Sequence, residues 1–261
     1  MERIALFGGV YSNHLALAAA LDDADSRRID ARFCLGDLGA FGPHPDRVYP
    51  ILRERGVVTI AGNYDDSLAR GLDDCQCGYT DPRDNRFARI SYDYTFRNTS
   101  PENKAWLATL PHECRVDIAG ANVLLCHGSP RRQNEFLWES TTPDHFIAKL
   151  CQQHRADVIV ATHTGLKWHR RLASGQLFVN CGVLGRPEND GTRRVWYAIL
   201  EARESRPPAV EFVAVDYDWK TLAREMLEEK LPPEFVTTIT DGWWTTCLEV
   251  LPARERARGR Y

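Results

Sequence analysis

Four short apolar runs, each closed by a residue that can ligate a metal, most constrain what this chain can become. Residues 31–35 run into Gly36-Asp37, 57–60 into Ala61-Gly62-Asn63, 123–126 into His127-Gly128, and 158–161 into Thr162-His163. Apolar runs of four or five residues bounded by glycine and polar residues read as buried strands. Residues 4–7 supply a further strand, and residues 15–21, 45–55 and 65–72 carry helical patterns between the early strands. The resulting βαβα order implies right-handed crossovers and a largely parallel sheet. Parallel strands bring their carboxyl ends to one crevice, so Asp37, Asn63, His127 and His163 are expected to meet there. One carboxylate, one amide oxygen and two imidazoles suffice for a single divalent ion.

The rest of the chain is read from its punctuation. Ser100-Pro101 and Thr142-Pro143 are helix-start signatures, predicting helices over 101–109 and from 143 to His154. Residues 115–118 and 122–126 flank Ala119-Gly120-Ala121 as a hairpin. Residues 73–98 are polar and aromatic around an evident loop at 78–84, and with 133–138 they are expected to shape the mouth of the crevice. Strands at 168–172, 176–179, 194–200 and 210–215 are expected to form a second, antiparallel sheet packed face to face on the first. A helix over 219–230 follows. Residues 231–251 then form an appendage whose Trp243 and Trp244 either cap the core or offer a contact surface. The expected organisation is a core over 1–202, with 203–261 completing the same domain.

Composition narrows the classes. The 261 residues are 43% hydrophobic and 26% charged, a globular balance. A net charge of −3 gives no general affinity for nucleic acid. The four arginines of residues 253–261 read as a frayed terminus. No run approaches the ~18 apolar residues of a membrane span, and the first strand is too short for a signal segment. Eight cysteines on such a chain read as reduced thiols in the cytoplasm, with Cys75 and Cys77 as two loop thiols.

In the order and spacing of these motifs the chain resembles the calcineurin-like metallophosphoesterase superfamily. It is closest to a small bacterial branch in which a Gly-Pro-x-Pro loop follows the Gly-Asp motif, here Gly36-Asp37 followed by Gly42-Pro43-His44-Pro45. The resemblance implies an α/β fold, a four-layer α/β/β/α sandwich, and a centre of two adjacent metals built from five blocks. The first block, Asp-x-His, reads Gly9-Val10-Tyr11 here. The second keeps its aspartate as Asp37. The third, Gly-Asn-His-Asp, reads Gly62-Asn63-Tyr64-Asp65, so the family's catalytic histidine is Tyr64. The fourth keeps His127, and the fifth, Gly-His-x-His, keeps His163 but has Gly165 for its second histidine. The absent ligands are those belonging only to the family's first metal. Asp37, Asn63, His127 and His163 are the full set for its second.

The implied activity is hydrolysis of a small phosphomonoester or phosphodiester with one divalent transition metal, manganese, zinc or iron. Such an ion polarises a phosphoryl oxygen and lowers the pKa of water toward ~7. Tyr64 can donate to a leaving oxygen or simply plug a hole. Tyr11 can fill the vacated space, donate to substrate or coordinate as phenolate. Arg131 and Arg132, after the His127 loop, are placed to meet an anion or to be solvated. Asn13 stands where the family keeps an asparagine by the site. His14 and His169 read as surface or supporting histidines, and Cys181 as a buried thiol or a reactive one. Two other readings stay open. Asp37, His127 and His163 form a two-histidine, one-carboxylate set that suits iron redox chemistry, and the cleft could serve as a non-catalytic phosphate- or nucleotide-binding module.

Overall fold

The computed structural model describes residues 1–204 and 206–260. Strand β1 (Arg3–Phe7) is followed by α1 (His14–Asp25), β2 (Ala31–Cys34), a short turn of 3-10 helix leading into α2 (Val48–Glu54), β3 (Val58–Thr59) and α3 (Asn63–Arg70). Next come α4 (Pro82–Asn98), α5 (Pro101–Leu107), β4 (Glu113–Ile118), β5 (Ala121–Cys126), α6 (Asp144–His154) and β6 (Val158–Ala161). The chain continues through β7 (Lys167–Arg171), β8 (Leu177–Cys181), β9 (Val195–Arg203), β10 (Arg206–Val215), α7 (Trp219–Glu228), α8 (Pro233–Asp241) and α9 (Ala253–Arg256).

Two five-stranded sheets result, ordered β10-β9-β1-β2-β3 and β4-β5-β6-β8-β7. Strand alternation sends successive side chains to opposite faces, and that sorts the core into layers. Ile4, Leu6, Phe33 and Leu35 of the first sheet meet Val123, Leu125, Val158 and Val160 of the second. The alternate residues Ala5, Phe7 and Cys34 face outward onto Leu17, Leu21, Val48 and Leu52 of α1 and α2. Leu124, Cys126, Ile159 and Phe178 face outward onto Ile147 and Leu150 of α6. The architecture is therefore a four-layer α/β/β/α sandwich.

The last four strands do not build the second sheet by themselves. β9 pairs antiparallel with β1, with Ile4 opposite Leu200, and β10 follows it on the first sheet. β8 pairs parallel with β6, and β7 lies antiparallel beyond it. The 113–126 hairpin forms one side of the second sheet, with its β5 running parallel to β6. Residues 73–98 also differ from expectation, because most of them form the 17-residue helix α4. Asp81 caps that helix by accepting from the Arg83 N–H, with proline at its first position. The arginine-rich tail is docked: Glu255 is buried and accepts from the Ser140 N–H at 2.8 Å. Tyr261 lies outside the described residues. Trp244 caps the core, 1% exposed against Trp138, Leu166 and Leu248. Among the described residues no helix is long and apolar enough to cross a membrane.

Candidate metal centre

Each expected ligand sits just past a strand end. Asp37 follows β2, Asn63 opens α3 after β3, His127 follows β5, and His163 follows β6. All four are buried. Asp37, His127 and His163 can each offer an atom such that all three lie within 4.8 Å of one another. Local backbone chemistry makes this approach possible. Asp37 adopts a positive φ of 57°, which aspartate tolerates, and Gly36 before it is at φ 85°. A Cβ on Gly36 would stand 2.1 Å from the Gly62 nitrogen, so only glycine lets the two loops touch.

A fifth residue clamps the loops together. The Asp65 carboxylate accepts from the N–H groups of Asp37 at 2.7 Å, Leu38 at 3.0 Å and Gly62 at 2.9 Å. Burial and the nearby Asp37 charge push its pKa up to about 7, against the pull of those backbone donors. Asp65 was not singled out from the sequence. Its position three residues into a helix that starts at glycine is the signal that would have found it.

The donor set asks for a cation. The His127 Nδ1–H donates to the Leu35 carbonyl at 2.6 Å, which fixes Nε2 as the lone-pair atom. That Nε2 faces Asp37 Oδ2 at 3.2 Å and His163 Nδ1 at 3.1 Å. Asn63 uses its amide nitrogen on the Cys75 carbonyl at 2.8 Å, leaving its buried Oδ1 without a partner. His163 Nε2 is likewise buried without a hydrogen bond. Buried acceptors facing one another without donors are costly, and a divalent ion would satisfy Asp37, Asn63 Oδ1, His127 Nε2 and His163 Nδ1 together. Burial would lower the His127 pKa, but the Asp37 carboxylate outweighs it and raises the value. Burial and His127 together push His163 down to about 3. Burial works against ionisation of Asp37, yet His127 holds its carboxyl below the usual range.

The other expected site residues divide. Tyr11 and Tyr64 both line the small cavity beside Asp37 and His163. Tyr11 packs its ring where a side chain on Gly9 would go, 2.6 Å from a Cβ built there. Tyr64 is 2% exposed, its hydroxyl is engaged by Ser91 Oγ at 2.9 Å, and burial raises its pKa far above the ordinary phenol value. Tyr64 is therefore a poor proton donor in this conformation, although its N–H holds Asp37 Oδ1 at 3.1 Å. Asn13 is not brought to the cavity. It caps α1 through the Ala16 N–H and donates to the Gly185 carbonyl at 3.3 Å. Arg131 is exposed and paired with Glu135 at 3.0 Å, its guanidinium over Phe146, and Arg132 is also exposed. His14 lies beside Glu225 and Arg47, and His169 is an exposed residue of β7. Cys181 is a fully buried thiol whose pKa burial pushes up to about 12, which makes it inert.

The mouth is closed by two loops. Cys77 and Tyr79 line the cavity, and the Phe136 ring lies 4.3 Å from that of His163. Asn134 ties the loops by donating to the Gln76 carbonyl at 2.9 Å. Cys75 and Cys77 are joined by a disulfide rather than standing as two thiols. The cavity beneath encloses about 10 Å³, room for one water.

Comparison with known proteins places this centre in context. A family model of the calcineurin-like phosphoesterase superfamily domain matches residues 3–205. The uncharacterized protein MJ0912 of Methanocaldococcus jannaschii is 26% identical, in an alignment covering 88% of this chain and 93% of the relative. The crystal structure of a metallophosphoesterase from Sphaerobacter thermophilus superposes with a TM-score of 0.70 at 26% identity, covering 92% of this chain and 99% of that one. The hypothetical protein PH1004 from Pyrococcus horikoshii OT3 superposes with a TM-score of 0.78 at 20% identity, covering 94% and 100%, a likeness of fold.

Proposed function

The chain belongs to the calcineurin-like phosphoesterase superfamily, and from that premise we propose that it hydrolyses a small phosphomonoester or phosphodiester with one divalent ion held by Asp37, Asn63, His127 and His163. The observation that carries this reading is the converging set of acceptors: Asn63 Oδ1 has no donor, and His127 Nε2 confronts both the Asp37 carboxylate and His163 Nδ1. When bound, the ion would polarise a phosphoryl oxygen and acidify a water. The protein's own part is positioning. The Leu35 carbonyl sets the His127 tautomer, the Asp65 clamp holds the Asp37 loop, and the Cys75 carbonyl turns the Asn63 amide so that its oxygen is free. Tyr11 and Tyr64 narrow the cavity to about the size of one water. An ester needs more space than one water, so residues 73–80 must yield for substrate to enter.

The experiment is hydrolysis of p-nitrophenyl phosphate and bis-p-nitrophenyl phosphate by metal-stripped protein reloaded with manganese. A manganese-dependent rate that His127→Ala abolishes is expected. One bound ion with no rate on any ester would overturn the hydrolase reading. The convergence of two imidazoles and one carboxylate also fits a redox iron centre. The free Asn63 oxygen favours hydrolysis, because it fills a position that oxygen chemistry needs open. Iron copurifying with an oxygen-sensitive optical band would reverse that preference.

A further inference from the structure

Arg186 is 6% exposed, yet it forms no ion pair or hydrogen bond among the described residues, and its Nε is buried without a partner. Arg3 and Arg32 also have a buried Nε without a hydrogen bond, but each pairs with a carboxylate. Arg170 donates to the carbonyls of Thr142 and Glu139 and pairs with Asp144. The Arg186 guanidinium instead lies 3.4 Å from the Trp244 ring centroid, 5.3 Å from Phe41 and 5.8 Å from Tyr11. Aromatic faces stabilise the cation but accept none of its N–H groups in the plane of the fork. The Nε–H therefore stands in a dry place without an acceptor, and no carboxylate pairs with the fork.

The position of this cation gives it a use. Tyr11, over which it lies, lines the cavity together with Asp37 and His163, and Arg186 lines the adjoining pocket, the two sharing Phe41 as a wall. Gly165, two residues past His163, would bring a Cβ to 3.4 Å from Arg186 Nη2 and to 3.0 Å from Trp244. Glycine there, at φ 78°, lets Trp244 pack close against the turn and hold the guanidinium beneath its ring. Gly9, Tyr11 and Gly165 contribute no carboxylate or imidazole, so Arg186 brings a positive charge to that side.

We propose that Arg186 is a substrate-binding residue whose unpaired N–H fork receives phosphoryl oxygens of an ester held at the ion. The arginine fork matches phosphate in two parallel bonds, and a bound phosphate is the counter-ion that this side chain otherwise lacks. The inference rests on the phosphoesterase reading above for the identity of the anion.

The test is calorimetric titration of inorganic phosphate into manganese-loaded protein, wild type against Arg186→Met and Arg186→Lys, with bound manganese counted in each. Methionine keeps an apolar stem between Trp244 and Tyr11 and removes a buried charge, so R186M should fold and be no less stable than wild type. Its phosphate affinity should fall by about 10–100-fold, the loss of charge-assisted hydrogen bonds, with the manganese count unchanged. R186K, with a point charge but no fork, should fall between the two. A merely structural arginine would give the opposite pair of results, lower stability and unaltered phosphate affinity. Affinity within about twofold of wild type in whichever variant folds, with manganese retained, overturns the proposal. Failure of the hydrolase reading looks different: wild type would bind phosphate, R186M would lose it, and neither would turn over an ester.

Discussion

Removing His163 should separate what the centre contributes to the fold from what it contributes through an ion. In metal-free protein the imidazole supports little. Its Nε2 is a buried nitrogen without a partner, and its Nδ1 faces the lone-pair atom of His127. His163→Ala loses packing against Phe136 and His127, but it also removes a polar atom whose burial costs about 1–3 kcal/mol. The net change in chelator should be within about 1–2 kcal/mol. His127→Ala is different even without metal, because it leaves the Leu35 carbonyl without its donor and strips Asp37 of its partner. Breaking such a buried pair costs about 3–5 kcal/mol. Manganese at 100 times its Kd should add about 2.7 kcal/mol to wild type and almost nothing to either variant. With a urea m-value of about 2–3 kcal/mol/M, the midpoint gap between wild type and H163A should widen by about 1 M on adding manganese. Urea melts with EDTA and with manganese measure this directly. An H163A protein that keeps the whole manganese increment would show that His163 is no ligand. One that loses 3 kcal/mol or more in EDTA would show that its role is structural.

Other consequences follow from the same geometry. Arg131→Ala and Arg132→Ala should leave kcat/KM within about twofold, since both side chains are exposed and Arg131 is engaged by Glu135; a tenfold loss in either would restore them to the site. Manganese affinity should rise with pH by about tenfold per unit until the raised His127 pKa is passed, then level off, because below that pKa the ion must displace one proton from His127. His163, pushed down to about 3, is already neutral and adds no slope between pH 5 and 8; titrations across that range that show no slope would contradict this assignment. Tyr11→Phe should change turnover by less than about threefold if Tyr11 only fills space, whereas Tyr11→Ala should cost about 3–5 kcal/mol in the melt as a buried cavity. Reducing the Cys75–Cys77 bridge should speed amide exchange over residues 75–79 without altering the manganese count; unchanged exchange would show that the bridge does not hold that mouth loop.

The ligands and their surroundings were legible to different degrees, for a physical reason. A ligand at the end of a buried strand is announced locally, by an apolar run that stops at a polar residue, and Asp37, Asn63, His127 and His163 all carry that signal. The two faces of each sheet were equally plain in the alternation of runs such as Ile4–Phe7. Strand order was not, because the pairing of β9 with β1 joins residues some two hundred positions apart through backbone bonds that any sequence can make. Helix α4 was obscured by its own packing: its buried face mixes Asp84, Ser91 and Thr95 with Phe87, Ala88 and Tyr92, so apolar periodicity is weak although the Asp81-Pro82 start was present. The residues that surround the ion were the least legible. Arg186, Tyr79, Phe136 and Trp244 come from four separate loops; Tyr79 and Phe136 fall in the segments expected at the mouth, but nothing near Arg186 in the chain announces a site. Asn13, Arg131 and Arg132 did look local to the motifs, but helix capping and solvent claimed them first. Holding an ion takes only the right atom at a strand end, which local sequence dictates. Choosing what that ion acts on depends on the charge and shape facing it, which arise only when distant loops close over the centre.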